Sequence, residues 1–382
     1  MAAGAGRWCD DPRMAVRIGV DGRVLNERYH GIGRVAYELC RGMARVPGVE
    51  LVVFVGDQRS ERFDVAALGA LPGVSVRRVG MKAVDVRQLW GWWAAARDVD
   101  VMFFPYHLGA SPVLGKPGVA LVHDCIFETD ARFAPSRAVG WAYRVMTGLV
   151  VRSLTVATVS AASAQEIERF YGRRVHPGRV IHNGVDQELR GSAEGARRLR
   201  EEFGLEPGYV LHVGAQRPHK NVGLLVEAVA AVPGARLVLV GSADERFPVE
   251  KSAGERVTRL PFVPEELLGS LYAGAALLAY PSLVEGFGLP MLEAMVAGTA
   301  VLASDVPVLR EVGGSAALYA APTCAEAWTA AISRLLADDD LRAQLGAAGV
   351  VHASGFTWDR AAERLVAACR ELAGSYPAAA ER

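Results

Sequence analysis

The pattern that most constrains this chain is an alternation of short apolar runs with longer helical segments, which pauses midway and then begins again. Val16–Asp21, Glu50–Gly56, Val101–Phe104, Gly118–His123 and Thr155–Ser160 read as strands, with helices near Gly33–Val46, Val86–Arg97, Ala138–Ser153 and Ala162–Tyr171. A strand at Pro177–Asn183 and a linker at Gly184–Ser192 separate the halves. The second half then reads Tyr209–Gly214, Arg236–Gly241, Val257–Leu260, Ala275–Tyr280 and Ala300–Ala303 as strands, again with helices between them. Runs this short and apolar suit strands buried on both faces, and intervening helices make the sheet parallel. A chain of 382 residues also exceeds one ordinary core. The expectation is α/β, with Rossmann-like domains at 15–186 and 187–356 and a disordered leader over 1–14. Two such domains facing each other would leave a ligand cleft at their carboxyl strand edges.

One unit of the second half carries chemistry. After the strand Ala275–Tyr280 comes Pro281-Ser282-Leu283-Val284-Glu285-Gly286-Phe287-Gly288-Leu289-Pro290-Met291-Leu292-Glu293. Pro290 suits the first position of a helix and Gly298 a left-handed cap after Ala297. Glu285 thus precedes a glycine turn, and Glu293 lies about one turn into a helix. A helix N-terminus favours an anion, and Gly286 and Gly288 let a ligand approach the backbone. Two carboxylates beside an anion site can accept hydrogen bonds from hydroxyls. The chemistry suggested is recognition of a nucleotide-diphosphate sugar.

Glu285 to Glu293 resembles the Glu-x7-Glu motif of family-four retaining glycosyltransferases, whose fold is GT-B, with a donor/acceptor cleft between two Rossmann-like domains. Three further segments match in order: Ile181-His182-Asn183-Gly184-Val185-Asp186, His212-Val213-Gly214-Ala215-Gln216-Arg217-Pro218-His219-Lys220-Asn221, and Ala303 to Val312. The resemblance implies that Glu293 binds ribose and Glu285 lies nearer the transferred sugar. It implies that Lys220, with Arg217 adding a second charge, neutralises the departing diphosphate near Gly214. Many relatives have arginine just before that lysine; here it is His219. Backbone N–H groups from Gly286 through Phe287 and Gly288 to Leu289 would meet hydroxyls or phosphate, with Phe287 shaping the turn. In the first half, His123-Asp124 resembles the family's sugar-contacting His-Asp, and Gly31-Ile32-Gly33-Arg34 its diphosphate-facing loop. The helix from about Thr357 resembles one that crosses back, assigning 357–382 to the first domain.

The resemblance thus implies a metal-independent transfer of a hexosyl group from a UDP- or GDP-linked sugar to a hydroxyl of a glycan, lipid or secondary metabolite. A sugar-nucleotide epimerase or pseudo-glycosidic coupling enzyme on the same fold, and a non-catalytic sugar-nucleotide-binding partner, are the alternatives. No cofactor or metal is expected: Asp98-Val99-Asp100 spells a metal-binding Asp-x-Asp but joins a helix to a buried strand. Lys plus Arg and Asp plus Glu are each 42, so no overall field favours nucleic acid. Five scattered cysteines read as reduced thiols in a cytoplasmic protein, and the Ala-, Arg- and Gly-rich composition suggests a bacterial source. Trp90, Trp92 and Trp93 with Arg77, Arg78, Lys82 and Arg87 offer either core packing or peripheral membrane contact. Oligomeric state is left open.

Overall fold

A computed structural model describes residues 15–26, 30–58, 60–243 and 256–375. The expected leader at 1–14 lies outside them. The described residues divide into two compact units. Unit 1 takes those up to Glu128, with Ser136–Gly184 and those from Trp358; unit 2 takes Thr129–Pro135 and Val185–Thr357.

Unit 1 runs β1 (Val16–Asp21), α1 (His30–Met43), β2 (Val49–Val55), α2 (Val65–Gly69), β3 (Val74–Arg78), α3 (Gln88–Ala95), β4 (Val101–Phe104), β5 (Gly118–Val122), α4 (Ile126–Thr129), α5 (Arg137–Ser153), β6 (Thr155–Thr158) and α6 (Ala161–Tyr171). Its six parallel strands lie in the order β3-β2-β1-β4-β5-β6. Trp92 packs edge-on between Phe54 and Phe104, at 5.5 and 5.6 Å between ring centres. Removing a ring so placed costs about 3–5 kcal/mol.

Unit 2 runs α7 (Ala193–Phe203), β7 (Tyr209–Val213), α8 (Val222–Ala230), β8 (Leu237–Val240), β9 (Val257–Leu260), α9 (Glu265–Gly274), β10 (Ala275–Tyr280), α10 (Leu289–Val296), β11 (Ala300–Ser304), α11 (Pro307–Gly313), β12 (Leu318–Ala320), α12 (Ala325–Ala337) and α13 (Asp339–Ala353). The strand order is β12-β11-β10-β7-β8-β9. Counted from each unit's own first strand, both sheets are wound 3-2-1-4-5-6, the dinucleotide-binding order. Each therefore has a switch point, between β1 and β4 in unit 1 and between β7 and β10 in unit 2. Finally α14 (Trp358–Gly374) packs on α1 within unit 1. Gly42 makes that contact close: a Cβ there would stand 2.7 Å from Ala362 Cβ.

Several expected elements change. Pro177–Asn183 is no strand; His176 Nδ1 accepts from Gly178 N–H at 3.1 Å, winding Pro177–Arg179 into one 3-10 turn. Only Val180 bridges to Thr158. The expected linker contains no helix or strand and holds the boundary between the units, but from Val185 it is anchored: Val185 N–H donates to Phe356 O at 3.0 Å, and Leu189 is buried. The helix expected from Gly33 begins at His30, so Gly31 and Gly33 lie in its first turn, not in a preceding loop. Leu289, not Pro290, opens α10, because Gly288 with φ 105° is already its cap.

Candidate functional site

The unit 2 switch point places two loops together. The loop after β7 folds into a 3-10 turn, Pro218–Lys220, and Asn221 adopts φ 54° to start α8. Its Nδ2 pins that strained residue by donating to Pro322 O at 2.8 Å. The loop after β10 is tied alongside by Leu283 N–H donating to His219 O at 2.7 Å. Lys220 and Glu285, 65 residues apart, thereby face each other: Lys220 Nζ donates to Glu285 Oε1 at 2.5 Å and to Tyr280 Oη at 3.0 Å. The ammonium also lies 5.0 Å from the Tyr280 ring centre. The two side chains are only 15% and 9% exposed. Burial alone would discharge both. Mutual attraction outweighs it, holding the lysine above its usual range and the glutamate below.

Buried polar atoms without partners among the described residues collect around this pair. The His212 ring stacks on Tyr280 at 6.1 Å, and its Nδ1–H donates to Ala279 O at 3.1 Å. That fixes the tautomer, leaving Nε2 as a buried acceptor with no partner. A Cβ on Gly214 would lie 3.9 Å from this nitrogen and 4.0 Å from Lys220 Nζ, so both border the space above that glycine. His219 Nδ1 is likewise buried and has no partner among the described residues, and Ser282 Oγ is buried beside Glu285. Burial pushes both histidines down to about 4, so neither carries charge at neutral pH. His219 therefore supplies no cation; Arg217 is exposed at the start of the same turn.

The turn from Gly286 to Gly288 leads into α10, whose first turn has no side-chain cap. Phe287 is buried edge-on to Phe356 at 6.0 Å. Glu293 is 5% exposed and accepts a 2.6 Å bond from Tyr272 Oη, which orients its carboxylate. A ligand with an anionic group and several hydroxyls would suit this set. The anion meets an ammonium and a helix N-terminus, and the hydroxyls meet carboxylates and an imidazole acceptor.

Unit 1 holds the other expected residues. His123 directly follows β5, with Nε2–H donating to Pro105 O at 2.7 Å and its own carbonyl accepting from Ser163 Oγ at 3.1 Å. Burial lowers its pKa. Gly33 is required for packing, since a Cβ would stand 2.7 Å from Phe63 and 2.9 Å from Val24 O; Gly31 has open space. At this unit's switch point lies a sealed ion pair. Arg23 Nε and Nη2 grip Asp21 at 2.7 and 2.8 Å, and the guanidinium also donates to Lys82 O and Gly109 O. The Asp-x-Asp is structural: Asp98 pairs with Arg77 and Arg17, and Asp100 accepts from Arg17 N–H.

Residues 29–189 match the family model described as Glycosyltransferase Family 4, and 197–350 that of Glycosyl transferases group 1. The chain is 31% identical over 383 residues to the D-inositol 3-phosphate glycosyltransferase of Mycolicibacterium smegmatis, covering 87% of this chain and 84% of that one. The chain belongs to glycosyltransferase family four. It is also 32% identical to the O-antigen chain mannosyltransferase B of Escherichia coli, over 66% of this chain and 70% of that one. Against the D-inositol 3-phosphate glycosyltransferase of Nocardia farcinica the match takes in 58% of that protein. Among solved structures, Anabaena HepE in complex with UDP and glucose aligns with TM-score 0.73 at 20% identity, over 94% of this chain and all of that one. Sucrose-phosphate synthase from Thermosynechococcus elongatus aligns equally well. The glycosyltransferase thus has the GT-B fold.

Four contributors to the candidate site of this glycosyltransferase were not singled out from sequence: Tyr280, His212, Tyr272 and Ser282. Tyr280 reads as the last residue of an apolar strand and His212 as one polar interruption in another. The available signal was positional, since Tyr280 is the last residue and His212 the last but one of the strands that flank the switch point.

Proposed function

We propose that this glycosyltransferase transfers a hexosyl group from a UDP- or GDP-linked sugar to an acceptor hydroxyl, with retention and without a metal ion. The observation carrying this reading is the Lys220–Glu285–Tyr280 group at the unit 2 switch point, bordered by unpartnered His212 Nε2. Lys220, Arg217 and the N-terminus of α10 supply positive charge where a diphosphate leaves, the place a metal would otherwise serve. Glu285 and His212 Nε2 accept from sugar hydroxyls, Glu293 from ribose. HepE binds UDP and glucose on the same fold.

Glu285 is neutralised by the ammonium, which makes it a poor nucleophile. In the proposed step the acceptor oxygen bonds to the anomeric carbon on the face from which the diphosphate oxygen departs. A phosphate oxygen takes the acceptor proton. The acceptor is a glycan, lipid or secondary-metabolite hydroxyl, and transfer takes place in the cytoplasm. The test is release of nucleoside diphosphate from labelled sugar donors with candidate acceptors, in EDTA, and NMR of the product's anomeric proton. The reading predicts turnover with retained configuration, lowered about 10²–10³-fold in Lys220→Ala. Unchanged turnover in Lys220→Ala and Glu285→Gln would overturn the site assignment, and an inverted anomer would overturn retention.

A further inference from the structure

Nine of the eleven large apolar side chains that stand exposed among the described residues belong to one layer of unit 1. Val86, Trp90 and Trp93 follow one another at helical spacing along α3 and the turn before it, with the two indoles 62% and 64% exposed. On α5, Trp141, Val145 and Leu149 recur every fourth residue and point away from the buried face formed by Gly140, Thr147, Val150 and Val151. The loop 111–115 lies between these helices. Ser111 Oγ donates to Leu89 O at 2.9 Å, a Cβ on Gly115 would stand 2.9 Å from Trp93 Nε1, and Leu114 shares a core with Val150 and Leu154. Exposed Val113 sits on that loop, joining the two stripes. An apolar surface assembled from three segments differs from scattered exposure and marks an interaction site.

Its charge selects the partner. Arg97 continues the α3 stripe one turn past Trp93, and Arg137 and Arg152 bracket the α5 stripe. Helix α5 contains three arginines and no carboxylate. Residues 77–116 hold six Lys or Arg against three Asp, in a chain whose formal net charge is zero. Arg87 with Asp85 and Arg77 with Asp98 cancel within that segment, and Arg17 also reaches Asp98, so the positive excess rests on the other basic residues. A twofold pairing of this face with itself would set arginine against arginine, which disfavours a second copy as its cover. Indoles sit at the boundary between headgroups and acyl chains, and arginines meet anionic headgroups there.

We propose that the α3–α5 face of unit 1 rests on the surface of a lipid bilayer bearing anionic headgroups. The chain lies on the bilayer through this face; among the described residues no helix is long and apolar enough to cross one. None of these residues belongs to the sugar-nucleotide site.

The test is flotation of the full chain with phosphatidylcholine vesicles, with and without phosphatidylglycerol, at low and high salt. Binding is expected only with phosphatidylglycerol, weakened by salt, with a blue shift of tryptophan emission. Trp93→Ser/Trp141→Ser/Leu149→Ser and Arg97→Glu/Arg152→Glu should each weaken it at least about tenfold while circular dichroism and nucleotide binding stay unchanged. No binding at low salt, equal binding to both vesicle types, or binding indifferent to both variants would overturn the proposal. So would a dimer in solution that the serine variant dissociates, which would assign the face to a second copy.

Discussion

At Lys220 two forces act in opposite directions: burial favours the neutral amine, and Glu285 at 2.5 Å favours the ammonium. Attraction wins on both partners. Glu285, with its pKa lowered, contributes stability above its unfolded value near 4.3, lost as pH falls through the folded one. Lys220, with its pKa raised, contributes below its unfolded value near 10.4, lost as pH rises through the folded one. Between about pH 5 and 10 the pair stays ionised, so turnover should show no step there that vanishes in Lys220→Met. Urea unfolding should show each single variant, Lys220→Met or Glu285→Gln, losing about 3 kcal/mol, because its partner is left charged and buried. The double variant should lose less than their sum; additive losses would mean the two do not interact. His212 works the other way. The unfolded chain takes up a proton near pH 6.5 that the native ring refuses until about 4, so acid removes about 3 kcal/mol over that window. His212→Asn, whose amide can replace the Nδ1 donor, should make the loss of stability between pH 6.5 and 4 shallower. The carboxylates and Lys220 were legible because glycines and a Lys-Asn pair frame them in sequence. His212 was not: its function depends on a vacant Nε2 that appears only once Nδ1 has found Ala279 O.

Elements buried on both faces announced themselves, as did the edge strands β6 and β9, whereas the other two edge strands did not. Strands β1, β4, β5, β7, β8, β10 and β11 are apolar runs of the kind parallel sheets require. The edge strand β3 carries Arg77 and Arg78 and is only half buried, and β12 has three residues, so neither gives an apolar run. Pro177–Asn183 misled because Ile181 is apolar and buried while its neighbours form a turn. Glycine positions sort by what surrounds them. Gly241 has φ 129°, and a Cβ there would collide with the Gly214 carbonyl that borders Lys220. Gly241→Ala should therefore lower unit 2 stability by at least about 2 kcal/mol in thermal unfolding. Gly31 lies in the first turn of α1 with nothing within 4 Å of its Cβ direction. Gly31→Ala should stabilise by about 0.5–1 kcal/mol; a loss instead would mean this turn is not helical.

Across the whole molecule one strand order occurs twice with different contents at its switch point. In unit 1 the place is sealed by Asp21 and Arg23, every polar contact internal and Trp92 beneath the guanidinium at 4.6 Å. In unit 2 it presents an ionised pair and, in His212 Nε2, a buried acceptor that no described residue satisfies. The doubling was legible in the sequence, because the alternation of apolar runs and helices stops and restarts. The contrast between the switch points was not, since Asp21 ends a strand, Arg23 lies in the short turn after it and Gly109, which completes their bonds, comes 86 residues later. That contrast supports the proposed placement of the nucleotide in unit 2, the central claim. It is tested most directly by thermal unfolding of wild type and Lys220→Met with UDP, GDP, ADP and dTDP, each with and without EDTA. One nucleotide should stabilise the wild type by about 2.7 kcal/mol at 100 times its dissociation constant. That gain should ignore EDTA and shrink in Lys220→Met. No gain with any nucleotide, or an equal gain in both proteins, would contradict the assignment.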